Sequence, residues 1–92
     1  MYKLTNKAYL YYKNNVNNRE NVSFEEAQIL LNRNIILGDY FKNKGYERIY
    51  YRALLIIIKN NEITAIKNRT THKGKINPLA KKLLNKLMGI GE

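Results

Sequence analysis

The sequence predicts an α+β fold in the order α-α-β-β-α, with helices packed on one side of an antiparallel sheet centred on a β-hairpin. Three observations carry that prediction. Residues 54–58 are an unbroken apolar run rich in β-branched side chains, and a second run with partial alternation follows Asn60-Asn61. Ser23, Phe24, Glu25 and Glu26 have the order of a capping box, which starts a helix at Phe24. Asn77-Pro78 places a good N-cap before a residue preorganised for the first helical position.

Residues 1–13 read as a helix capped by Thr5 or Asn6, with Leu4, Ala8, Tyr11 and Tyr12 near one side. Tyr9, Tyr11 and Tyr12 also suit a strand, so both readings stay open there. Tyrosines between Lys7 and Lys13 are a means of stacking on bases, although aromatics at this spacing are more commonly core. Residues 14–21 are dense in turn formers and form a loop. The helix from Phe24 should bury Phe24, Ala27, Leu30 and Leu31, continue through Ile35 or Leu37, and leave through a left-handed Gly38. Residues 39–45 then supply one capped helical turn or a loop that seats Tyr40 and Phe41 on the core. A helix–turn–helix over 24–44 is the weaker reading, because its second helix would be very short and carry only Lys42 and Lys44.

The hairpin spans residues 49–70. A two-residue Asn60-Asn61 turn of type I′ sets Lys59 opposite Glu62 and Ile58 opposite Ile63. Continued without interruption, that register sets Ile56 opposite Ala65, Leu54 opposite Lys67 and Arg52 opposite Arg69. One face is then apolar near the turn and carries Tyr50, Arg52, Lys67 and Arg69 at its open end. Facing arginines repel, and an anion such as phosphate between them would remove the repulsion. The polar stretch 70–76 holds His72, Lys73, Gly74 and Lys75. In the last helix, Leu79, Ala80, Leu83, Leu84 and Leu87 should form the buried stripe, with Lys81, Lys82 and Lys86 opposite and Gly89 at the end.

The 92 residues make one basic domain, 1–92, of which roughly 60–65% of the unfolded surface is buried on folding. Two strands alone are marginal, so either residues 1–13 add a strand or an exposed sheet edge pairs with a second copy as a homodimer. There is no cysteine, so neither a disulfide framework nor a thiolate metal site is available; this, with no membrane-length apolar run and no signal-peptide core, favours the cytoplasm. The net charge of +10 is uneven, +2 over residues 1–43 and +8 over 44–92. Such an imbalance points to a polyanion, nucleic acid ahead of a membrane surface, with RNA ahead of DNA because a sheet bearing Tyr and Arg suits unpaired bases and phosphates. The expected contacts are Tyr50, Arg52, Lys67, Arg69, His72, Lys73, Lys75, Lys81, Lys82 and Lys86. AT-rich codon usage is the competing explanation for many of the lysines.

One histidine and seven scattered acids form no metal-ligand pattern, and no phosphate-binding loop or dinucleotide fingerprint is present, so no metal or cofactor is expected. No catalytic residue is assigned. The helices preceding a basic sheet with Tyr50, Arg52, Lys67, Arg69 and His72 resemble in architecture the bacterial RNA-cleaving toxins of the RelE and barnase-like group. That resemblance implies metal-independent cleavage, with a base for the ribose 2′-hydroxyl, a donor to the leaving oxygen and cations on the phosphate. A third class is a phage- or plasmid-type inhibitor of a host nucleoprotein. The basic charge argues against a DNA mimic, which needs to be acidic.

Overall fold

The computed structural model describes residues 1–73 and 76–91, with backbone alone for 70–73. Its elements are β1 (Lys3–Leu4), α1 (Asn6–Asn15), α2 (Phe24–Leu37), β2 (Asp39–Asn43), β3 (Tyr46–Lys59), β4 (Glu62–Lys73) and α3 (Pro78–Leu87). The four strands form one sheet in the order β1-β4-β3-β2. The α+β class holds, and the sheet is mixed, because β1 runs parallel to β4 while the other pairings are antiparallel.

In the N-terminal segment the helix reading holds, with Tyr9, Tyr11 and Tyr12 in α1 rather than in a strand, and the strand that residues 1–13 add is the two residues Lys3–Leu4 ahead of it. Thr5 makes the join. Its hydroxyl donates to the Ile63 carbonyl at 2.8 Å and accepts from the Ala8 amide at 3.3 Å, so one side chain ties the sheet to the start of α1. The outer edge of β1 meets α2. Asn32 accepts from the Tyr2 amide at 2.7 Å and donates to the Tyr2 carbonyl at 2.9 Å, and Gln28 accepts from the Leu4 amide at 2.9 Å. These amides satisfy backbone groups that a bare β1 edge would offer to another chain.

Asn60 and Asn61 have φ of 50° and 62°, as a type I′ turn requires, and Ser23 accepts from the Glu26 amide at 3.1 Å. Gly38 does not leave in the left-handed region; its φ of −79° is ordinary. Glycine is needed there for close approach instead, since a Cβ would lie 2.7 Å from Ile49 Cγ2 and 2.8 Å from the Tyr50 carbonyl oxygen. Residues 39–43 are neither a helical turn nor a loop, so no second helix of a helix–turn–helix forms. They are an edge strand, joined to β3 through Lys44-Gly45, with Gly45 at a φ of 85°.

Leu4, Ala8, Tyr12, Ala27, Leu31, Ile49, Ile56, Ile58, Ile63 and Ile66 lie in the core between α1, α2 and one face of the sheet. Each isoleucine fully removed from water there contributes about 1.5–3 kcal/mol. The α1 tyrosines belong to this packing: Tyr9 donates to the Val22 carbonyl at 2.9 Å and meets Phe24 edge to face, while the Tyr11 hydroxyl accepts from the Asn68 amide at 3.0 Å. They are structural. In α3 the buried residue is Asn85, which accepts from the buried Arg33 guanidinium at 3.0 Å. That contact turns the helix about its axis, so Leu79, Leu83 and Leu87 face solvent at 65%, 56% and 83% exposure, contrary to the predicted buried stripe.

Candidate nucleic-acid interface

The functional question turns on where two irregularities direct the cations of the hairpin. Near the turn the register is as expected, with Lys59 opposite Glu62 and Ile58 opposite Ile63. One extra residue in β4, Thr64, then forms a bulge, and its hydroxyl donates to the Ile57 carbonyl at 3.4 Å. Past the bulge every pairing is displaced by one: Ile56 faces Ile66, Leu55 faces Lys67 and Leu54 faces Asn68. A second irregularity follows, and Arg52 comes opposite Lys73. Arg52 and Arg69 therefore do not face each other, and the repulsive pair expected from an uninterrupted hairpin does not exist.

The face of the sheet away from α1 and α2 carries an aromatic and arginine network. Phe41 pairs with Arg48 across β2 and β3, and its ring meets Tyr50 edge to face at 5.7 Å. Arg48 donates to Asn43 Oδ1 at 2.6 Å and to the Tyr50 hydroxyl at 2.8 Å. Its guanidinium also lies 5.5 Å from the Phe41 ring centroid and 5.6 Å from that of Tyr50. Arg69 comes onto the same ring, 4.5 Å from its centroid, so Tyr50 carries two guanidinium groups. The Arg69 Nη1 is buried and meets no acceptor among the described residues. A buried donor left unsatisfied costs about 1–3 kcal/mol. Lys67, exposed, continues this face, and Leu55, Ile57 and Ala65 make its apolar part toward the turn.

Of the residues singled out from sequence, Tyr50, Lys67 and Arg69 share this open face. Arg52 lines a cleft against α3 together with Lys81 and Lys82. Lys86 is exposed on α3 and lines neither cleft beside Arg52. The side chains of His72 and Lys73, and all of Lys75, lie outside the described residues. Phe41 and Arg48 belong to the network and escaped sequence reasoning, because residues 39–45 carry no long apolar run. The available signal was the period-two series Tyr46, Arg48, Tyr50 after a Lys-Gly turn, mirrored by Phe41 and Asn43 before it.

Across the β2–β3 ribbon, Tyr40 donates to the Glu47 carboxylate at 2.5 Å, and this bond pushes the Tyr40 phenol up to about 12. Glu47 is thus engaged with Tyr40, one residue out of phase with Arg48 and so on the opposite side of the ribbon from the open face. No group of three or more His, Cys, Asp or Glu suited to a metal ion occurs among the described residues, and no helix among them is long and apolar enough to cross a membrane. Comparison with protein-family models, curated proteins and solved structures finds no match to this chain.

Proposed function

We propose that the protein binds single-stranded nucleic acid, RNA ahead of DNA, across the open face of the sheet. The observation that carries this reading is Tyr50 held between Arg48 and Arg69, with Phe41 beside it 48% exposed. Aromatic rings on a sheet give bases a stacking platform, and guanidinium groups fixed against those rings present donors to phosphate without first losing rotamer freedom. Arg48, Lys67 and Arg69 are the phosphate ligands of this surface, and the apolar strip of Leu55, Ile57 and Ala65 lets the sugar–base portion leave water.

Affinity for unstructured RNA and DNA measured across a salt series tests the proposal. Three neutralised phosphates at about −0.7 each give a slope of log K against log salt near −2. Absence of binding at low salt sinks it. A second reading, a protein-directed inhibitor of a host nucleoprotein, draws on the solvent-facing Leu79, Leu83 and Leu87 of α3. It requires tight binding to a protein target with a shallow salt slope and sensitivity to Leu83→Glu.

A further inference from the structure

On the covered side of the sheet, the middle of β3 and the helices α1, α2 and α3 border an open cleft of about 380 Å³. It adjoins a second cleft of about 250 Å³, and Arg52 and Lys81 line both. Lys82 lines the smaller one. No aspartate or glutamate lines either cleft among the described residues. Three facts about this place are independent of its charge. The Tyr51 side chain, 5% exposed, lines the larger cleft, and its hydroxyl is buried with no hydrogen-bond partner among the described residues. Arg52 has a φ of 51°, the left-handed region that an arginine rarely adopts, at a strand irregularity. Arg52 itself makes no hydrogen bond or ring contact among the described residues.

Strained backbone and strand irregularities aim side chains at ligands, and a guanidinium beside an ammonium is the donor set that holds a phosphate dianion. Asn17, Asn34 and Asn68 add amides to the larger cleft, and Tyr12 and Leu54 give it an apolar floor. The volume lies in the range of small-ligand sites. The geometry points to a phosphomonoester site in this cleft, sized for one nucleotide, with Arg52 and Lys81 on the phosphate and Tyr51 and the amides on the rest. The nucleotide is either free or the phosphorylated end of a strand. This site shares no residue with the open face and does not rest on the function proposed above.

Binding to the full chain is measured for four probes at constant ionic strength: a mononucleotide, its nucleoside, a short single strand with terminal phosphate, and the same strand with hydroxyl ends. The expected result is a gain of about tenfold from the phosphate in one of the two pairs, since charge-assisted bonds to the phosphate replace bonds to water and displace no partner of Arg52 among the described residues. A gain confined to the strand pair makes the site a strand-end pocket, and a gain confined to the mononucleotide pair makes it a free-nucleotide pocket. The gain disappears in Arg52→Asn, a residue that tolerates this backbone, and in Lys81→Gln; it persists in Lys67→Gln on the open face. If hydroxyl-ended strands fail to bind, the open-face reading falls while the mononucleotide pair still tests the cleft. Equal binding within both pairs, or a gain that survives both cleft variants, overturns the proposal. Should Arg52→Asn fail to fold, Lys81→Gln and amide shifts on mononucleotide titration decide: shifts at Tyr51, Arg52 and Ala53 support the site, and shifts confined to Phe41 and Arg48 overturn it.

Discussion

Arg69 and Arg52 stand near the same end of the hairpin and are held in opposite ways. Arg69 lies on the Tyr50 ring at 4.5 Å, and Arg48 on the other strand is bonded to Asn43 and Tyr50, so the open-face arginines are positioned by what their side chains touch. Arg52 has no such brace among the described residues and is positioned by its backbone, at a φ of 51°. The first arrangement stabilises the fold while it presents charge; the second costs stability to aim one side chain. Bracing and strain thus place cations on two faces of one hairpin.

The strongest way to break this difference is to insert one residue after Thr64. With the added residue opposite Ile57, Ala65 comes opposite Ile56, Ile66 turns out of the core and Arg69 leaves the Tyr50 ring. We expect a loss of about 2–5 kcal/mol, read from chemical denaturation, as for removal of a core isoleucine. An insertion variant of unchanged stability would mean that the register past the bulge does not hold Ile66 and Arg69 on their faces.

Tyr50→Ala removes the ring that braces Arg69 and the platform proposed for a base. Strand affinity should fall roughly tenfold to hundredfold, the worth of one stacked base. Tyr50→Phe keeps the ring and loses the hydrogen bond from Arg48, so affinity should change by about twofold and stability by about 0.5–1.5 kcal/mol. Equal losses in the two variants would assign the role to the hydroxyl.

Glycine substitutions give the comparison a sign. Arg52→Gly relieves the left-handed strain and should raise stability by about 1 kcal/mol, seen as a rise of about 4–8 °C in Tm. Arg69→Gly loses the ring contact and adds backbone freedom, so its Tm should fall. Calorimetry of the two variants side by side tests both, and a drop for Arg52→Gly would show that its side chain is braced after all.

The smallest effect concerns the edge of the ribbon. The hydrogen bond to Glu47 pushes the Tyr40 phenol from an ordinary 10.0 up to about 12. Its protonated form is the one favoured by folding, so its contribution is complete below pH 10 and is lost as pH rises from 10 to 12. Absorbance titration should show a late-ionising component that vanishes in Tyr40→Phe, whose stability should also lose that alkaline slope.

Much of the fold was legible because its signals are local. The Asn60-Asn61 turn depends on two residues that tolerate positive φ, the Ser23 and Asn77 caps on side chains within three residues of their targets, and the apolar strand on its own composition. These fall within a few positions of the residues that specify them. The sequence by itself thus determined the α+β class, the central hairpin and its turn, the start of α2 and α3, and the basic C-terminal half. Tertiary structure decided which way the charges point. A single bulged residue changes the face of everything beyond it, and Thr64 carries no local mark that distinguishes it from a regular strand residue. The outward turn of Leu79, Leu83 and Leu87 depends on Asn85 meeting Arg33, 52 positions away in the chain. The strand at 39–43 exists because β3 lies alongside it, and with it come Phe41 and Arg48. Register and helix rotation are set by contacts between segments distant in sequence, which no periodicity within either segment encodes.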